Sequence, residues 1–365
     1  MSDERFVTQT MLTCLGNKRK LVGKIKNIAQ EIASILGKEK MRIVDGFSGS
    51  TVVSRELASL AYDIHCNDME NYAHLMAKCF LEKPSEQEQE VIASYISSMN
   101  ELAENGPYVQ GVITKLYAPN NTFDIKEGER AFYTRENALI IDTLRAYISM
   151  EVPQHLQHYC LVPLLTRASI HANTAGVFKG FYKDGKIGKF GGAGENALER
   201  ITKAIRLDMP IWSKYDFTAT SHNRDINDLI EELPSEIDLI YLDPPYNQHP
   251  YGSNYFMLNV IAENKEPEKL SKVSGIPADW QRSAYNSHDS AVESMSQLLH
   301  NCFEKSAYVL LSYNDEGIIK KADWDGILQP YTVEKREIVY DTYKGSRNLR
   351  NRSNKVTEIM YVISR

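Results

Sequence analysis

The chain has 365 residues, 42% of them hydrophobic, and a formal net charge of −6 at pH 7. Its length and composition indicate a globular protein of one elaborated domain or two, and its acidic balance taken alone argues against nucleic-acid binding. No stretch approaches the ~18 consecutive apolar residues of a membrane span, and the N-terminus lacks the apolar core of a secretory signal, so a cytoplasmic protein is expected.

The N-terminal and C-terminal parts of the chain show alternating strand and helix patterns. Residues 1–82 predict a helix after LGNKRKL, a strand at MRIVD, a helix at TVVSRELASLAY and a strand at DIHCND. Residues 83–205 change to long helical segments that end in the glycine-rich stretch GVFKGFYKDGKIGKFGGAGE. Strand patterns return in residues 206–365, where the last three lie close enough together to be antiparallel neighbours. The sequence therefore predicts a doubly wound, mostly parallel α/β sheet with a mainly helical insert at 83–205.

The cysteines and histidines form no recognisable disulfide or metal pattern. The five cysteines are scattered without Cys-x-x-Cys spacing, which is typical of reduced thiols. His155 and His158 lie close together in the sequence, but no third ligand of suitable type accompanies them. We therefore predict that the protein binds no metal.

A short loop precedes the first predicted helix, in the sequence LGNKRKL. Gly16, Asn17 and Lys18 there supply backbone donors and a cation that suit a ligand carboxylate. A helix N-cap followed by surface lysines explains the same residues equally well.

The stretch VDGFSGSTVVSREL has the layout of a strand, a turn of small residues and a helix. Asp45 ends the strand, and Phe47, Gly49 and Ser50 form a turn whose backbone can approach a ligand closely. Many strand-to-helix turns look like this one, so the motif alone is weak. It departs from the Gly-x-Gly-x-x-Gly pattern expected for a pyrophosphate, which favours a nucleoside without phosphates.

Further polar residues stand at two other strand ends. Asp68 closes the second predicted strand, where a carboxylate commonly binds a ribose hydroxyl. Asn223 and Asp225 lie in SHNRDI, in a position suited to an adenine amino group. Each acid considered singly is more often a helix cap, but together with the FSGS turn they outline an adenosine-shaped crevice.

The sequence YLDPPYNQHPYGSNYF follows an apolar run, Ile237 to Leu242, that predicts a buried strand. Asp243 ends this strand. Pro244 and Pro245 cannot donate backbone hydrogen bonds and so stop the ladder. Tyr246 is thereby placed on a loop just outside a carboxyl edge, where open α/β sheets bind their ligands.

These motifs, taken in order, resemble the adenine-specific DNA methyltransferases of the Dam-type branch and their type II restriction-modification relatives. The matching order is a GNK loop, an FxGSG-like loop, an insert and DPPY, and QHPYGSNYF resembles the segment that follows DPPY in one subgroup. Two positions depart from the family pattern. Thr51 stands where a third small residue is usual, and the usual arginine near DPPY is absent from the Gln248–Pro250 region.

The resemblance implies the class I S-adenosylmethionine-dependent methyltransferase fold, with catalytic residues in 1–82 and 206–365 and target recognition in 83–205. It implies methyl transfer from S-adenosylmethionine to the exocyclic N6 of an adenine flipped out of duplex DNA. Asp243 and the carbonyl of Pro244 would accept the amino hydrogens, while Tyr246 would stack on the base. Tyr255 and Asn254 would complete the base site. The cofactor would contact Gly16, Asn17, Lys18, Asp45, Phe47, Gly49, Ser50, Asp68, Asn223, Asp225 and Asp243.

Two basic zones in this acidic chain suit a one-sided contact with a polyanion, although a solvated face explains a lone basic run as well. Residues 167–224 carry ten Lys or Arg against five Asp or Glu, and 344–355 carry five basic residues and no acid. The candidate phosphate contacts are Lys179, Lys183, Lys186, Lys189, Arg347, Arg350 and Arg352. We expect double-stranded DNA as the partner, a monomer, and a restriction-modification, phage or orphan setting in which a cognate endonuclease can exist.

Other activities share parts of this pattern. Resembling families that act on RNA or on protein glutamine usually carry NPPY, and N4-cytosine methyltransferases more frequently carry SPPY, so Asp243 favours DNA adenine. An inactive DNA-binding protein would share the fold without transferring methyl groups. A dinucleotide-dependent dehydrogenase would require the full glycine fingerprint, which the sequence lacks.

Overall fold

The structure is a computed structural model that describes residues 4–9, 12, 18–192, 194–195, 197–341 and 355–365. It divides into two compact units. The sheet unit comprises Lys18–Ala77, Ser213–Pro250 and Gln281–Arg365. The helical unit comprises Met1–Asn17, Lys78–Trp212 and Tyr251–Trp280.

The helices and strands are as follows in chain order. The α-helices are α1 (Glu4–Thr8), α2 (Val22–Leu36), α3 (Val52–Leu57), α4 (Asn71–Leu81), α5 (Glu86–Asn105), α6 (Val112–Leu116), α7 (Arg135–Glu151), α8 (Gln157–His171), α9 (Leu198–Thr202), α10 (Ile226–Glu232), α11 (Tyr251–Asn254), α12 (Phe256–Glu263), α13 (His288–Phe303) and α14 (Lys321–Leu328). The β-strands are β1 (Met41–Asp45), β2 (Ala61–Asn67), β3 (Lys183–Asp184), β4 (Ile187–Gly188), β5 (Thr218–His222), β6 (Leu239–Leu242), β7 (Tyr308–Asn314), β8 (Thr332–Asp341) and β9 (Lys355–Ser364). Short 3-10 turns lie at Lys18–Lys20, Ala58–Leu60, Gln154–Leu156 and Ala284–Asn286.

The sheet unit is built on a seven-stranded sheet with the order β5-β2-β1-β6-β7-β9-β8. The strands from β5 to β7 are mutually parallel. Strand β9 runs antiparallel to β7, and β8 runs antiparallel to β9. The order reverses at β1, which pairs with β2 on one side and with β6 on the other. In open α/β sheets a reversal of this kind leaves a crevice at the carboxyl ends of the strands, where ligands bind.

The central strands are continuous apolar runs because both of their faces are covered. All four residues of β6 are buried, as are four of the five in β1. On one face a single apolar cluster joins the sheet to α10, α13 and α14, and it includes Leu242, Met295, Leu298 and Trp324. This packing fixes where β1 and β6 end, and so fixes the carboxyl edge.

Helix ends in the sheet unit follow ordinary capping chemistry. Gly37 ends α2 with a left-handed φ of 65°, and its N–H donates to the last turn. Asp225 caps α10 by accepting a hydrogen bond from the N–H of Asn227.

The helical unit contains α5 to α9, α11, α12 and the small β3–β4 hairpin. Helix α5 begins with a capping box between Ser85 and Glu88, and α7 begins at Thr134, whose side chain accepts from the N–H of Asn137. Arg145 on α7 donates to the carbonyls of Ile261 and Ala262 at the end of α12. No helix within the described ranges is long and apolar enough to cross a membrane.

The sheet order confirms the predicted fold class: a mostly parallel, doubly wound sheet with antiparallel C-terminal strands. The change to long helices after residue 83 is also observed. The functional division into residues 1–82 with 206–365 and an insert at 83–205 stays a prediction, because compactness does not assign a role. By compactness alone the helical unit also takes in Tyr251–Trp280.

Candidate active site at the carboxyl ends of β1, β2 and β6

The sheet reversal places two acidic side chains at neighbouring strand ends. Asp45 is the last residue of β1, and Asp243 directly follows β6. The N–H of Gly46 donates to the carbonyl of Tyr241 at 2.9 Å, which extends the contact between β1 and β6 to their ends. Because parallel strands end at the same edge, both carboxylates lie at the crevice.

Asn67, at the end of β2, holds together the loops that follow three strands. Its amide nitrogen donates to the carbonyls of Gly46 at 3.3 Å and Arg224 at 3.0 Å. Its backbone carbonyl accepts from the N–H of Ser48 at 2.9 Å. This one buried residue thus fixes the loops after β1, β2 and β5 relative to one another.

The turn after β1 adopts left-handed backbone conformations at two residues. Gly49 has a φ of 48°, and no atom of another described residue, its two chain neighbours apart, lies within 4 Å of where a Cβ would be. Thr51 has a φ of 62°, which is rare for a β-branched residue. The departure from the family pattern noted at Thr51 therefore leaves the turn intact, because threonine adopts the conformation that a glycine would take there.

Asp45 is almost fully buried, at 1% exposure, and only one of its oxygens is clearly engaged. Its Oδ2 accepts from the hydroxyl of Ser54 at 2.5 Å, and that hydroxyl in turn accepts from the thiol of Cys66. Burial raises the pKa of Asp45 to about 7. Among the described residues, Oδ1 of Asp45 and the hydroxyl of Ser48 have no hydrogen-bond partner. Buried polar atoms without partners at a crevice indicate a ligand site.

Asp68 connects the loops after β1 and β2. Its carboxylate accepts from the N–H of Gly49 at 2.8 Å and from the N–H of Glu70 at 2.9 Å. Burial raises its pKa to about 6, although both hydrogen bonds oppose that rise. The carboxylate is therefore ionised at neutral pH and is held in a fixed orientation.

Lys18 lies between two carboxylates that are both far from it in the sequence. Its Nζ is 2.7 Å from Oδ1 of Asp243 and 3.2 Å from Oε1 of Glu358 on β9. The side chains of Lys18 and Glu358 are 5% and 1% exposed, whereas that of Asp243 is 18% exposed. Asp243 is thus the one member of this cluster that is accessible from outside.

The charged groups of this cluster are largely buried, so water screens their interactions only weakly. Burial raises the pKa of Asp243 to about 6; Lys18 opposes this rise and Glu358 adds to it. Burial by itself lowers the pKa of Lys18, but the two carboxylates outweigh it and leave that pKa raised. At neutral pH the site therefore holds an ionised Asp243 beside a protonated Lys18.

Hydrogen bonds to two of its backbone carbonyls hold the loop after β6 in place. The carbonyl of Tyr246 accepts from the N–H of Ile318 at 2.8 Å, and the carbonyl of Asn247 accepts from the side chain of Asn286 at 2.7 Å. The ring of Tyr246 is half-buried and packs on the edge of the apolar cluster. Phe47 packs against the same apolar cluster and lies edge-on to Tyr285, at 5.3 Å between ring centres.

The sequence that forms this site matches one known protein family. Residues 15–323 match the family described as D12 class N6 adenine-specific DNA methyltransferase. The chain belongs to this family. The match begins three residues before Lys18 and ends within α14.

Relatives of this D12 class methyltransferase include modification enzymes from bacteria and a virus. The modification methylase StsI of Streptococcus sanguinis is 27% identical over 96% of the chain, and the chain spans about half, 51%, of that relative. The type II methyltransferase M.CviAII of Paramecium bursaria Chlorella virus 1 is 27% identical over 87% of the chain and 88% of the relative. The type II methyltransferase M.NlaIII of Neisseria lactamica is 24% identical over 96% of the chain and 98% of the relative.

The predicted cofactor residues of the methyltransferase that lie in the sheet unit gather at one edge. Asp45, Phe47, Gly49, Ser50 and Asp68 belong to the two adjacent loops after β1 and β2. Their individual roles stay predictions. Gly16 and Asn17 lie outside the described residues.

Asn223 and Asp225 have local structural contacts. The side chain of Asn223 donates to the carbonyls of Asp68 at 2.9 Å and Met69 at 2.8 Å. Asp225 is the N-cap of α10, which is the ordinary alternative to its predicted adenine contact. Its role in the cofactor site stays a prediction.

The other predicted base contacts lie in the helical unit. Tyr255 is 1% exposed and stacks on Tyr251 at 5.8 Å between ring centres. Asn254 is 3% exposed, and its carbonyl accepts from the N–H of Phe178 at 2.7 Å. Both roles at the base stay predictions.

The candidate phosphate contacts divide between described and undescribed residues. Lys179, Lys183 and Lys186 are exposed and Lys189 is half-buried, on and around the β3–β4 hairpin. Arg347, Arg350 and Arg352 lie outside the described residues. The contact of these residues with DNA stays a prediction.

Sequence analysis missed Glu358 and Ser54. Glu358 is a lone acid within the apolar strand KVTEIMYVISR, and a buried acid in such a run generally requires a partner. That signal was available, but the sequence does not identify Lys18 as the partner. Ser54 gave no signal, since serine is common in the first turn of a helix.

Proposed function

We propose that this protein transfers a methyl group from S-adenosylmethionine to the exocyclic N6 of adenine at specific sites in duplex DNA. The single observation that carries the proposal is Asp243, a partly exposed carboxylate fixed by Lys18 at the carboxyl end of β6. The D12 class family supplies the substrate class. Since the chain spans about half of one relative, this activity is proposed for the residues given and not for a longer protein.

Asp243 serves as a hydrogen-bond acceptor for the adenine amino group. The amino lone pair is delocalised into the ring, and positive charge grows on the nitrogen as the new N–C bond forms. An ionised carboxylate at that point stabilises the charge and favours a more tetrahedral nitrogen. With its pKa at about 6, Asp243 is ionised at neutral pH without being a strong base. A strong base is unnecessary, because the amino proton becomes acidic only as the bond forms.

Pro244 and Tyr246 complete the acceptor loop. Pro244 fixes φ and lacks an N–H, so its carbonyl is suited to be a second acceptor with little freedom to move. The hydrogen-bonded carbonyl of Tyr246 holds the loop in place. The half-buried ring of Tyr246 offers a face for stacking on a base. Stacking of this kind contributes roughly 1 to 3 kcal/mol per base.

The crevice beside Asp243 suits S-adenosylmethionine by its chemistry. Among the described residues, Oδ1 of Asp45 and the hydroxyl of Ser48 have no hydrogen-bond partner and suit the polar groups of a nucleoside. No described atom fills the space beside Gly49, which suits close approach of a ligand to the backbone. Asp68 is the residue suited to the ribose hydroxyls. When bound, the cofactor supplies a methyl group already activated by a sulfonium.

Duplex DNA is the proposed partner, and the target adenine must leave the stack to reach Asp243. One flipped base requires one active site, so we propose a monomer. The names of the relatives, as type II methyltransferases and modification methylases, support a restriction-modification setting with a cognate endonuclease.

The proposal is tested with Asp243→Ala. The wild-type protein and the variant are incubated with labelled S-adenosylmethionine and DNA, and the DNA is digested to nucleosides. We expect the wild type to form N6-methyladenine and the variant to lose at least about 100-fold in kcat, since it loses both the acceptor and its charge. Removing Asp243 also leaves Lys18 and Glu358 buried together, so the folded fraction is measured alongside by circular dichroism.

Asp325→Ala is the matched control, because Asp325 is exposed on α14 and pairs with its helix neighbour Lys321. It should methylate DNA at the wild-type rate. Formation of N4-methylcytosine instead would reject the adenine assignment. Full activity of a folded Asp243→Ala protein would reject the acceptor role.

A further inference from the structure

Residues 269–278 of the helical unit form a tight turn that sequence analysis did not single out. The N–H of Ser271 donates to the carbonyl of Ile276 at 2.9 Å, and the N–H of Gly275 donates back to the carbonyl of Ser271 at 3.1 Å. Gly275 allows the chain to reverse here because it adopts a left-handed φ of 68°. Lys272 lies within the turn and is exposed.

Arg130 anchors this turn to the rest of the helical unit. Its guanidinium donates to the carbonyls of Ser271 at 3.3 Å and Val273 at 3.2 Å. The hydroxyl of the buried Tyr117 donates to the carbonyl of Gly275 at 2.8 Å. The contact is close, since a Cβ on Gly275 would lie 2.7 Å from Nε of Arg130. The backbone of the turn is therefore fixed before any partner binds.

A second lysine of the helical unit is attached to the same turn. The hydroxyl of Ser274 donates to the carbonyl of Lys179. Lys179 is exposed, as is Lys272. The turn itself, KLSKVSGIPA, contains no acid, and the acids that flank it, Glu268 and Asp279, lie outside the backbone hydrogen bond that closes its base. The turn therefore presents its own basic residues beside Lys179.

The cations of this cluster lie apart from acidic partners. Within the described ranges, none of Arg130, Lys179 and Lys272 forms an ion pair, in contrast to other lysines of the same unit. The acids whose side chains lie outside those ranges are Asp3 and Asp341. Cations held together without acids create a positive potential, which attracts an anion.

We propose that the turn 269–278 binds the phosphate backbone of duplex DNA, with Lys272 and Lys179 as the contacting residues. The inference rests on the proposed function, which supplies DNA as the partner. An exposed ammonium suits a phosphate as a point charge, and a backbone fixed by Arg130 lowers the entropy lost on binding. The turn lies outside both basic zones noted in the sequence, so it extends the DNA-binding surface to a segment that follows DPPY.

The test is the salt dependence of DNA binding by Lys272→Ala, measured by fluorescence anisotropy with labelled duplexes. Loss of one phosphate contact should lower the slope of log K against log salt by about 1 and raise Kd about 5- to 10-fold near 0.1 M salt. Duplexes with and without the methylated site should be affected equally, because phosphate contacts carry no sequence information. The double variant Lys179→Ala with Lys272→Ala should lower the slope by about 2.

Lys126→Ala is the matched control, because Lys126 is exposed in the same unit but lies 2.6 Å from the carboxylate of Asp124. It should keep the wild-type slope. Lys272→Arg keeps the charge and should bind DNA far more tightly than Lys272→Ala. Thermal melting checks that each variant is folded, as is expected for changes at exposed positions.

Two outcomes separate this inference from the proposed function. If the wild type forms no methyladenine, the proposed function fails. If the wild type methylates DNA but Lys272→Ala keeps the wild-type slope and Kd, the inference about the turn is refuted while the proposed function stands. A loss of affinity confined to duplexes that contain the methylated site would also refute it, because it would indicate a contact with bases.

Discussion

Asp45 differs from an ordinary surface aspartate in that folding makes its ionisation unfavourable. Burial raises its pKa to about 7, and the nearby charges of Asp243 and Asp68 add to this, while the hydrogen bond from Ser54 opposes it. An acid whose folded pKa lies above its unfolded value binds its proton more tightly when folded. Its contribution to the free energy of unfolding therefore falls as pH rises from about 4 to about 7 and is constant above that.

We predict that Asp45→Asn loses less unfolding free energy than the wild type as pH rises. Between pH 5.5 and 8.5 the wild type should lose about 2 kcal/mol of unfolding free energy that the variant keeps, because asparagine has no charge to bury yet still accepts from Ser54. Urea denaturation at both pH values measures the difference. An identical pH dependence in the two proteins would contradict the prediction.

Glu334→Gln is the matched control on β8. A hydrogen bond from Arg336 lowers the pKa of Glu334, and desolvation opposes this. Its stabilising contribution is present above the unfolded pKa and is lost only as pH falls through the lowered value. Glu334→Gln should therefore change stability equally at pH 5.5 and 8.5.

At the scale of elements, the end of β1 depends on close packing beneath the turn. A Cβ on Gly46 would lie 2.8 Å from a methyl of Leu242 and 3.2 Å from Ile226, both in the apolar cluster. We predict that Gly46→Ala lowers the free energy of unfolding by about 1 to 3 kcal/mol, because the core must shift to admit the methyl group. It should also weaken cofactor binding, measured by calorimetry, since the turn moves with it.

Gly326→Ala, in the same unit, should change the free energy of unfolding in the opposite direction. Gly326 lies in α14, and in the part of the chain that the structure describes no atom outside its own helix backbone lies within 4 Å of a Cβ there. Alanine there should stabilise the protein by roughly 0.5 to 1 kcal/mol through its better helix propensity. If both alanine variants shift stability in the same direction, the packing explanation for Gly46 is wrong.

The sequence predicts elements better than it predicts partners. The apolar runs that end at Asp45 and Asp243 predict strands, and parallel strands necessarily bring such ends to one edge. The meeting of Lys18 with Glu358 depends instead on the register of β9, where Glu358 lies opposite Asn314. No local pattern encodes that register.

Two local features also could not be predicted from sequence patterns. Asp225 has the sequence features of both a ligand and a helix cap, and the structure shows it as the cap of α10. Thr51 adopts a left-handed φ that its residue type disfavours. In both cases the surrounding packing decides, because the free-energy differences between the local alternatives are small.

At the scale of the whole molecule, a chain with a net charge of −6 must concentrate its cations to bind DNA. Around the β3–β4 hairpin, some of the lysines form ion pairs with acidic residues. Lys186 lies 3.5 Å from Glu127, and Lys189 lies 3.5 Å from Glu195. The ammonium of Lys183 instead lies over the ring of Phe181, at 4.7 Å from its centre. Among these three, Lys183 is therefore the best placed to release counterions when it meets a phosphate.

We predict that Lys183→Ala weakens DNA binding and lowers the slope of log K against log salt by about 1, the value expected for one phosphate contact. Lys186→Ala should lower the slope less, because Glu127 already competes for its charge. Lys321→Ala, exposed on α14 and paired with Asp325, should leave the slope unchanged. Fluorescence anisotropy with labelled duplexes at several salt concentrations measures all three. Equal slopes for Lys183→Ala and Lys321→Ala would show that Lys183 does not contact the DNA backbone.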